Sequence, residues 1–215
     1  MSASALRLLA IILMILDHLW ATVIPGGNWM TYVGRLAFPI FAFQLSEGCF
    51  HTSDRKRYAK RLLLFALISE IPFDLVMGGG VVFPFHQNVL FTLLLGLLSI
   101  TSLDRLRQER SGKQLARTAL AVSGCLLLAV VGFVDYGALG VLTVIAFYLF
   151  RGFPYAWAGQ LIAMILLHIV CFKGMTIPLG GFDFPTQGFA VFALLPIWLY
   201  NGEKGVLHRP IRRIS

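Results

Sequence analysis

The hydrophobic positions of this 215-residue chain form long continuous blocks that are separated by short polar stretches. A helix needs about 20 apolar residues to cross the hydrocarbon core of a bilayer. The pattern therefore predicts an all-α, polytopic membrane helical bundle of about eight transmembrane helices, at residues 6–24, 32–51, 60–78, 88–103, 115–131, 136–150, 154–172 and 187–200. The sixth and eighth segments are the shortest, and the pattern leaves open whether they span the bilayer fully.

Composition points in the same direction. Hydrophobic residues make up 58% of the chain and charged residues only 13%, whereas a soluble domain carries about 25% charged residues. These values exclude a disordered chain, a disulfide-stapled secreted module and an ordinary cytosolic enzyme. The three cysteines have no paired spacing, so neither a disulfide nor a metal site is predicted. No repeat or long linker divides the chain, which predicts a single domain over residues 1–215.

Lys and Arg residues concentrate in alternate gaps between the predicted spans, chiefly at residues 55–61 and 105–117 and in the tail. Cytoplasmic loops of membrane proteins carry an excess of these residues. The distribution therefore predicts cytoplasmic positions for both termini in a multi-pass protein of the cell (inner) membrane. Because topology accounts for these short basic stretches, no nucleic-acid partner is predicted.

Several ionisable or amide side chains fall inside the predicted spans or at their ends, where ionisable groups are costly and by default suggest function. Counting the helical rise places them in one layer, between the middle of the bilayer and its outer face. The set comprises Asp17, His18, Arg35, Glu70, Asp74, His86, Gln87 and Asn88. Asp17 and His18 are adjacent and need different partners, whereas Glu70 and Asp74 share one helix face.

Such a layer can support proton transfer, because the unperturbed pKa of histidine lies nearest neutrality. We expect His18 to be the general base, with Glu70 or Asp74 orienting it. A second expectation pairs Asp17 with Arg35. The predicted catalytic residues are His18, Asp17, Glu70 and Asp74, and the predicted substrate- or cofactor-binding residues are Arg35, Glu47, His51, His86, Gln87 and Asn88.

Other polar residues receive simpler interpretations. Glu47 and His51 are four residues apart, so they are predicted to pair near the cytoplasmic end of their span. Asp135 and Asp183 are interpreted as outer-loop acids, which either line the entrance of the site or are simply exposed, and His168 as a satisfied core histidine or an interfacial residue. No metal is expected, since no short ligand spacing such as HExxH occurs. A structural polar network that fixes helix register remains the alternative for the whole layer.

Five strings in the first hundred residues are distinctive in their order and spacing. They are Met14–His18, Gly34–Phe43, Glu47–Gly48 with His51–Thr52, Arg61–Asp74 and His86–Gly96. Together they resemble the TraX family, which is named for a conjugation protein implicated in N-terminal acetylation of a pilin subunit. Acceptors vary within the family, so the pilin substrate is not carried over to this chain.

The resemblance implies an acyl-CoA-dependent O- or N-acyltransferase that uses cytoplasmic acetyl-CoA. It implies an acceptor at the extracytoplasmic side, on a peptide, a glycan or a lipid headgroup, and it implies that the shared polar positions line the site. The basic loops would then hold the nucleotide end of the donor, and transfer could be direct or through an acyl-histidine. The main alternative is a proton-coupled small-solute transporter or channel using the same polar layer, and a non-catalytic scaffold is a third possibility.

Overall fold

A computed structural model describes residues 1–205 as a mostly helical structure. The basic residues of the tail beyond that point lie outside the described residues. The elements of residues 1–205 are α1 (Ala3–Thr22), α2 (Asn28–Gly34), α3 (Ala37–His51), α4 (Arg55–Met77), α5 (Val89–Gln108), α6 (Gly112–Val131), α7 (Gly137–Phe150), α8 (Ala156–Ile165), a π-helical turn (Leu166–Cys171), β1 (Thr176–Leu179), β2 (Phe182–Pro185), a 3-10 helix (Thr186–Ala193) and α9 (Leu194–Trp198).

Three of these helices, α1, α5 and α6, are long and apolar enough to cross a membrane. Helix α4 is longer still, but basic residues fill its first two turns and two carboxylates lie further along it. Large apolar side chains of α1, α4 and α6 are exposed on the surface, among them Leu8, Leu64, Ile68 and Leu120. Apolar surface on this scale is unfavourable in water and favourable in lipid. The chain therefore has the character of a helical membrane protein.

Each of the eight predicted segments coincides with helical structure, but three of them differ from a simple helix. Segment 154–172 continues from α8 into the π-helical turn. Segment 32–51 is interrupted at Arg35 and Leu36, where α2 ends and α3 begins. Pro39 lies in the first turn of α3, where its missing N–H has no helical partner to lose. Segment 187–200 is largely 3-10 helix rather than α-helix. A count of eight membrane-spanning helices remains a prediction.

A short β-hairpin is the element that the all-α prediction did not include. Strands β1 and β2 pair antiparallel, with Leu179 opposite Phe182. The two residues between them, Gly180 and Gly181, have φ angles of +55° and +93°. Glycine adopts this left-handed conformation without steric penalty, and a two-residue turn of this kind matches the twist of paired strands.

The chain forms two compact units. The first consists of Met1–Gln44 together with residues 157–205, and the second consists of Leu45–Ala156. In the second unit α5 is the central helix, since it contacts α4, α6 and α7. A Cβ atom at Gly96 would lie only 2.8 Å from the side chain of Val144, so glycine there allows α5 and α7 to approach closely. The single domain over residues 1–215 stays a prediction.

In the first unit α1 packs against α2, and the chain start is tied to the segment after α9. The Ala3 N–H donates to the Glu203 carbonyl at 2.8 Å, and the Ser4 hydroxyl donates to the Lys204 carbonyl at 2.7 Å. His168 is fully buried, as predicted for a core histidine. The Gln187 amide lies 3.1 Å from its Nδ1 atom.

Candidate functional site

Asn88 connects the start of α5 to α4 in the second unit. Its side-chain oxygen accepts from the Leu90 N–H at 3.0 Å, which caps the helix, while its amide nitrogen donates to the Ala66 carbonyl at 2.9 Å. The same amide nitrogen donates to Glu70, and the Asn88 backbone N–H donates to Glu70 Oε2 at 3.2 Å. Asn88 is only 4% exposed. One buried amide therefore fixes both the helix start and the Glu70 carboxylate.

Asp74 lies one turn beyond Glu70 on α4 and is likewise buried, with 4% of its surface exposed. Its Oδ2 atom accepts from the Phe83 N–H at 2.9 Å, which holds the loop that follows α4. The remaining oxygens, Glu70 Oε1 and Asp74 Oδ1, are buried without a hydrogen-bond partner among residues 1–205. An unsatisfied buried acceptor costs about 1–3 kcal/mol. These two atoms are therefore ready to accept from a ligand or to carry a proton.

His86 and Asp135 extend this group of carboxylates toward solvent. Nε2 of His86 lies 3.6 Å from Oδ1 of Asp135, and both side chains are partly exposed. The Asp135 carboxylate raises the pKa of His86 above its ordinary value, although partial burial opposes this. Phe73 packs edge-on against the imidazole ring, with ring centroids 5.2 Å apart. We call Glu70, Asp74, His86, Asn88 and Asp135 the carboxylate cluster.

In the first unit, Asp17 and His18 are held by separate partners. Asp17 Oδ1 accepts from the Thr31 hydroxyl at 2.7 Å. Nδ1 of His18 lies 2.8 Å from the Met14 carbonyl oxygen. Because a carbonyl oxygen can only accept, Nδ1 carries the proton and the lone pair of the neutral ring lies on Nε2. His18 is exposed, so this basic nitrogen is accessible.

A second group of charged side chains lies at the other end of α5. Arg151 donates to both oxygens of Glu47, at 2.5 and 3.3 Å, and its guanidinium lies 4.1 Å from the centre of the Phe50 ring. Nε2 of His51 lies 3.9 Å from Glu47 Oε2, which confirms the predicted pair.

Asp104 forms the other half of this group. It accepts from Arg55 at 2.6 Å and from the Tyr148 hydroxyl at 2.9 Å. Arg107 lies over the Tyr148 ring at 4.6 Å. We call Glu47, Arg55, Asp104, Arg107, Tyr148 and Arg151 the arginine cluster. Sixteen helical residues separate Asn88 from Asp104, so the two clusters lie about 24 Å apart along α5.

Comparison with known proteins assigns the family. The model of the TraX protein family matches residues 2–209, which is nearly the whole chain. The chain belongs to the TraX family. A relative, "Probable fimbrial assembly protein FimC, serogroup H1" of Dichelobacter nodosus, is 38% identical over 110 residues. That match covers 46% of this chain and 45% of the relative, so it spans under half of either protein. No solved structure matches the chain significantly.

The structure of this TraX-family chain brings part of the predicted site together. The carboxylate cluster brings together Glu70, Asp74, His86 and Asn88. These four residues of the second unit were predicted to lie in one layer of the bilayer. Gln87 joins through its backbone, since its N–H donates to the Phe133 carbonyl at 2.9 Å. By contrast, Glu47 and His51 lie at the arginine cluster. Asp17, His18 and Arg35 belong to the first unit, and the catalytic and binding roles of all ten residues remain predictions.

Sequence analysis missed Asp135, Asp104 and Tyr148 as members of these clusters. Asp135 was interpreted as an outer-loop acid that lines the entrance or is simply exposed, and no partner was predicted for it; in the structure it faces His86 at a distance of 3.6 Å. Asp104 directly follows the predicted apolar span 88–103 and precedes a basic stretch, and this position between the two is the signal that could have identified it. Tyr148 lies in a uniformly apolar helix, where nothing in the local pattern indicates a polar partner.

Proposed function

We propose that this TraX-family chain is an integral membrane acyltransferase, most simply an acetyltransferase. It would transfer the acyl group of cytoplasmic acyl-CoA to an acceptor at the extracytoplasmic side of the membrane. The observation that carries the proposal is the pair of buried carboxylate oxygens, Glu70 Oε1 and Asp74 Oδ1, left without partners among residues 1–205. Buried, unsatisfied carboxylates in a membrane protein suggest a functional site rather than a stabilising contact.

His18 supplies the basic nitrogen that the proposed reaction needs. With the proton on Nδ1 held by the Met14 carbonyl, Nε2 can take the proton of an attacking hydroxyl or amine. The acceptor atom then forms its bond to the acyl carbon, the C–S bond breaks, and CoA leaves as a thiolate. We assign Asp17, Glu70 and Asp74 as the carboxylates that support this step, and Arg35, Gln87 and Asn88 as binding residues.

The proposed topology has eight membrane-spanning segments, both termini in the cytoplasm and a location in the cell (inner) membrane. In this orientation the arginine cluster faces the cytoplasm, where the anionic nucleotide of acetyl-CoA is available. Arg107 is exposed and lies beside the basic residues Arg110, Lys113 and Arg117, which precede α6 or lie in its first turns. Glu47 and His51 lie at the same end of the second unit, where we expect the donor to enter.

The acceptor is proposed as a class only. The relative from Dichelobacter nodosus is named as a fimbrial assembly protein, which supports a role related to pili or to another structure outside the membrane. A peptide, a glycan or a lipid headgroup each offers a hydroxyl or amine that can be acylated.

A radiolabel assay tests the proposal. Membrane vesicles from cells expressing the chain receive acetyl-CoA labelled in its acetyl group, and we measure free CoA and label in the lipid, glycan and protein fractions. We expect His18→Ala and Glu70→Gln to abolish labelling. Thr22→Ala is the matched control on α1, because Thr22 bonds the His18 carbonyl and leaves the imidazole untouched.

Two results would contradict the proposal. Label and CoA release that persist in His18→Ala would remove the proposed base from the reaction. Proton-driven uptake of a small solute without CoA release would instead favour the transporter or channel that uses the same residues.

A further inference from the structure

Asp135 is held at the carboxylate cluster by its backbone as well as by its side chain. Its N–H donates to the Gln87 carbonyl at 2.9 Å, and its own carbonyl accepts from the Thr92 hydroxyl. The Gln87 N–H in turn donates to the Phe133 carbonyl at 2.9 Å. The turn that carries Asp135 is therefore fixed against the loop that carries His86.

The backbone on either side of Asp135 is strained. Phe133 and Tyr136 have φ angles of +51° and +61°, and they are the non-glycine residues with positive φ within residues 1–205. Such conformations cost about 1–3 kcal/mol each and persist where the surrounding structure holds them, often at functional sites. An exposed loop acid with no role would not need this arrangement.

The geometry also sets the protonation pattern of the imidazole. Nε2 faces a carboxylate, which only accepts, so the proton of the neutral ring lies on Nε2 and the lone pair on Nδ1. His86 is 41% exposed, so a substrate can reach this ring. A carboxylate that orients an imidazole in this way increases its ability to accept a hydrogen bond.

We propose that Asp135 is a positioning residue that holds His86 as the acceptor-binding group of the site. Nδ1 of His86 accepts a hydrogen bond from an N–H or O–H group of the acceptor other than the one whose proton His18 takes. This inference rests on the proposed acyltransferase function, and it adds a subsite and a residue to it.

Acceptor binding should then depend on pH. The charged groups facing His86 are Asp135 on its turn and Glu70 on α4, with Asp74 one turn further along α4 and the neutral Asn88 on α5. Protonation of Nδ1 removes the acceptor lone pair, so binding should weaken as pH falls through the pKa of His86. Without the Asp135 charge the pKa of His86 is lower. The pH at which acceptor binding weakens, which is the acidic limb of its pH profile, should therefore move to a lower value.

The test uses the purified full chain in lipid nanodiscs, with acetyl-CoA as donor and total envelope extract of the expressing strain as acceptor. CoA release is measured while the amount of acetyl-CoA or of extract is varied, and the series is repeated at pH values from 5 to 9. We expect Asp135→Asn to raise the half-saturating amount of extract about tenfold, the loss of one hydrogen bond to a well-oriented group. The half-saturating acetyl-CoA concentration should change by less than about twofold, and the acidic limb should shift to lower pH.

Two further variants separate positioning from folding. Asp135→Glu keeps the charge and should retain the acidic limb. Asp183→Asn makes the same chemical change at an exposed position of β2 and should leave both half-saturation values and the limb unchanged. Monodisperse elution of each variant shows that it folds.

The outcomes distinguish the two proposals. If the wild-type chain releases CoA and Asp135→Asn leaves the extract dependence and the acidic limb unchanged, the positioning role is wrong and the acyltransferase stands. If Asp135→Asn raises the half-saturating amounts of acetyl-CoA and extract equally, the assignment of His86 to an acceptor subsite is also wrong. If the wild-type chain releases no CoA with extract, the proposed function fails and the subsite fails with it.

Discussion

Gly34 is in close contact with a predicted catalytic carboxylate, and substituting it tests how Asp17 is held. A Cβ atom at position 34 would lie 2.5 Å from Asp17 Cβ and 2.9 Å from both Cγ and Oδ1. Carbon atoms in contact prefer about 3.5–4.0 Å. Gly34→Ala must therefore displace Asp17 by about 1 Å, away from its 2.7 Å hydrogen bond with Thr31.

The cost follows from these contacts. Overpacking of this kind costs about 1–3 kcal/mol, and a lost hydrogen bond to a charged group costs about 1.5–3 kcal/mol. The two overlap, and alanine recovers about 1 kcal/mol of helix propensity, so the net loss should be about 2–3 kcal/mol. A domain of this size loses about 2–4 °C per kcal/mol, which predicts a Tm lower by about 7 °C.

Thermal unfolding of the purified chain in one detergent measures this loss. Gly124→Ala is the matched control, since nothing lies within 4 Å of its added Cβ atom. That change on α6 should leave Tm unchanged or raise it. Asp17→Gly removes all three contacting atoms, so Gly34→Ala should cost much less in that background. An equal Tm loss in both backgrounds would refute the steric argument.

Two further predictions concern the clusters at the ends of α5. Asp104→Ala leaves the Arg55 guanidinium without its carboxylate partner, in a partly buried pair, and should lower the free energy of unfolding by about 2 kcal/mol; the exposed Asp183→Ala is the control, and equal losses in thermal unfolding would contradict the prediction. Because the folded-state pKa of His86 is raised, its stabilising contribution is present below the ordinary pKa of about 6.5 and is lost as pH rises through the raised value. The Tm difference between wild type and His86→Gln should therefore be largest near pH 5 and vanish in alkali, and a difference that grows with pH would be inconsistent.

The helical segments could be predicted from the sequence because the bilayer imposes one strong local rule. A continuous apolar block of sufficient length becomes a helix in which every backbone group bonds within the segment. The boundaries were predicted less closely, because the capping residues Asn88 before α5 and Ser111 before α6 were not used, and α6 begins at Gly112 rather than at residue 115. The break at Arg35 was missed because apolar residues lie on both sides of it, and the glycine hairpin was missed because its residues were treated as a loop between two spans.

Helix spacing and the counting of depth along each span predicted part of the clusters. Glu47 with His51 and Glu70 with Asp74 are four residues apart, so local geometry decides their proximity. Asp135 is 49 positions after His86, and only the tertiary contact between two loops brings them within 3.6 Å. The sequence alone does not distinguish an acid that is simply exposed in a loop from one that pairs with a distant histidine.

The distribution of titratable groups along α5 bears on the choice between enzyme and proton-coupled transporter. Between Asn88 and Asp104, a distance of about 24 Å, α5 carries no titratable side chain. Its hydroxyls at Ser99 and Thr101 bond to carbonyls of their own helix, four residues earlier. A relay between titratable side chains of α5 therefore has no member between the two clusters, since the helix offers only hydroxyls there, among them Thr92 and Ser102. The central helix of the second unit thus favours a reaction that bridges this distance with the donor molecule itself.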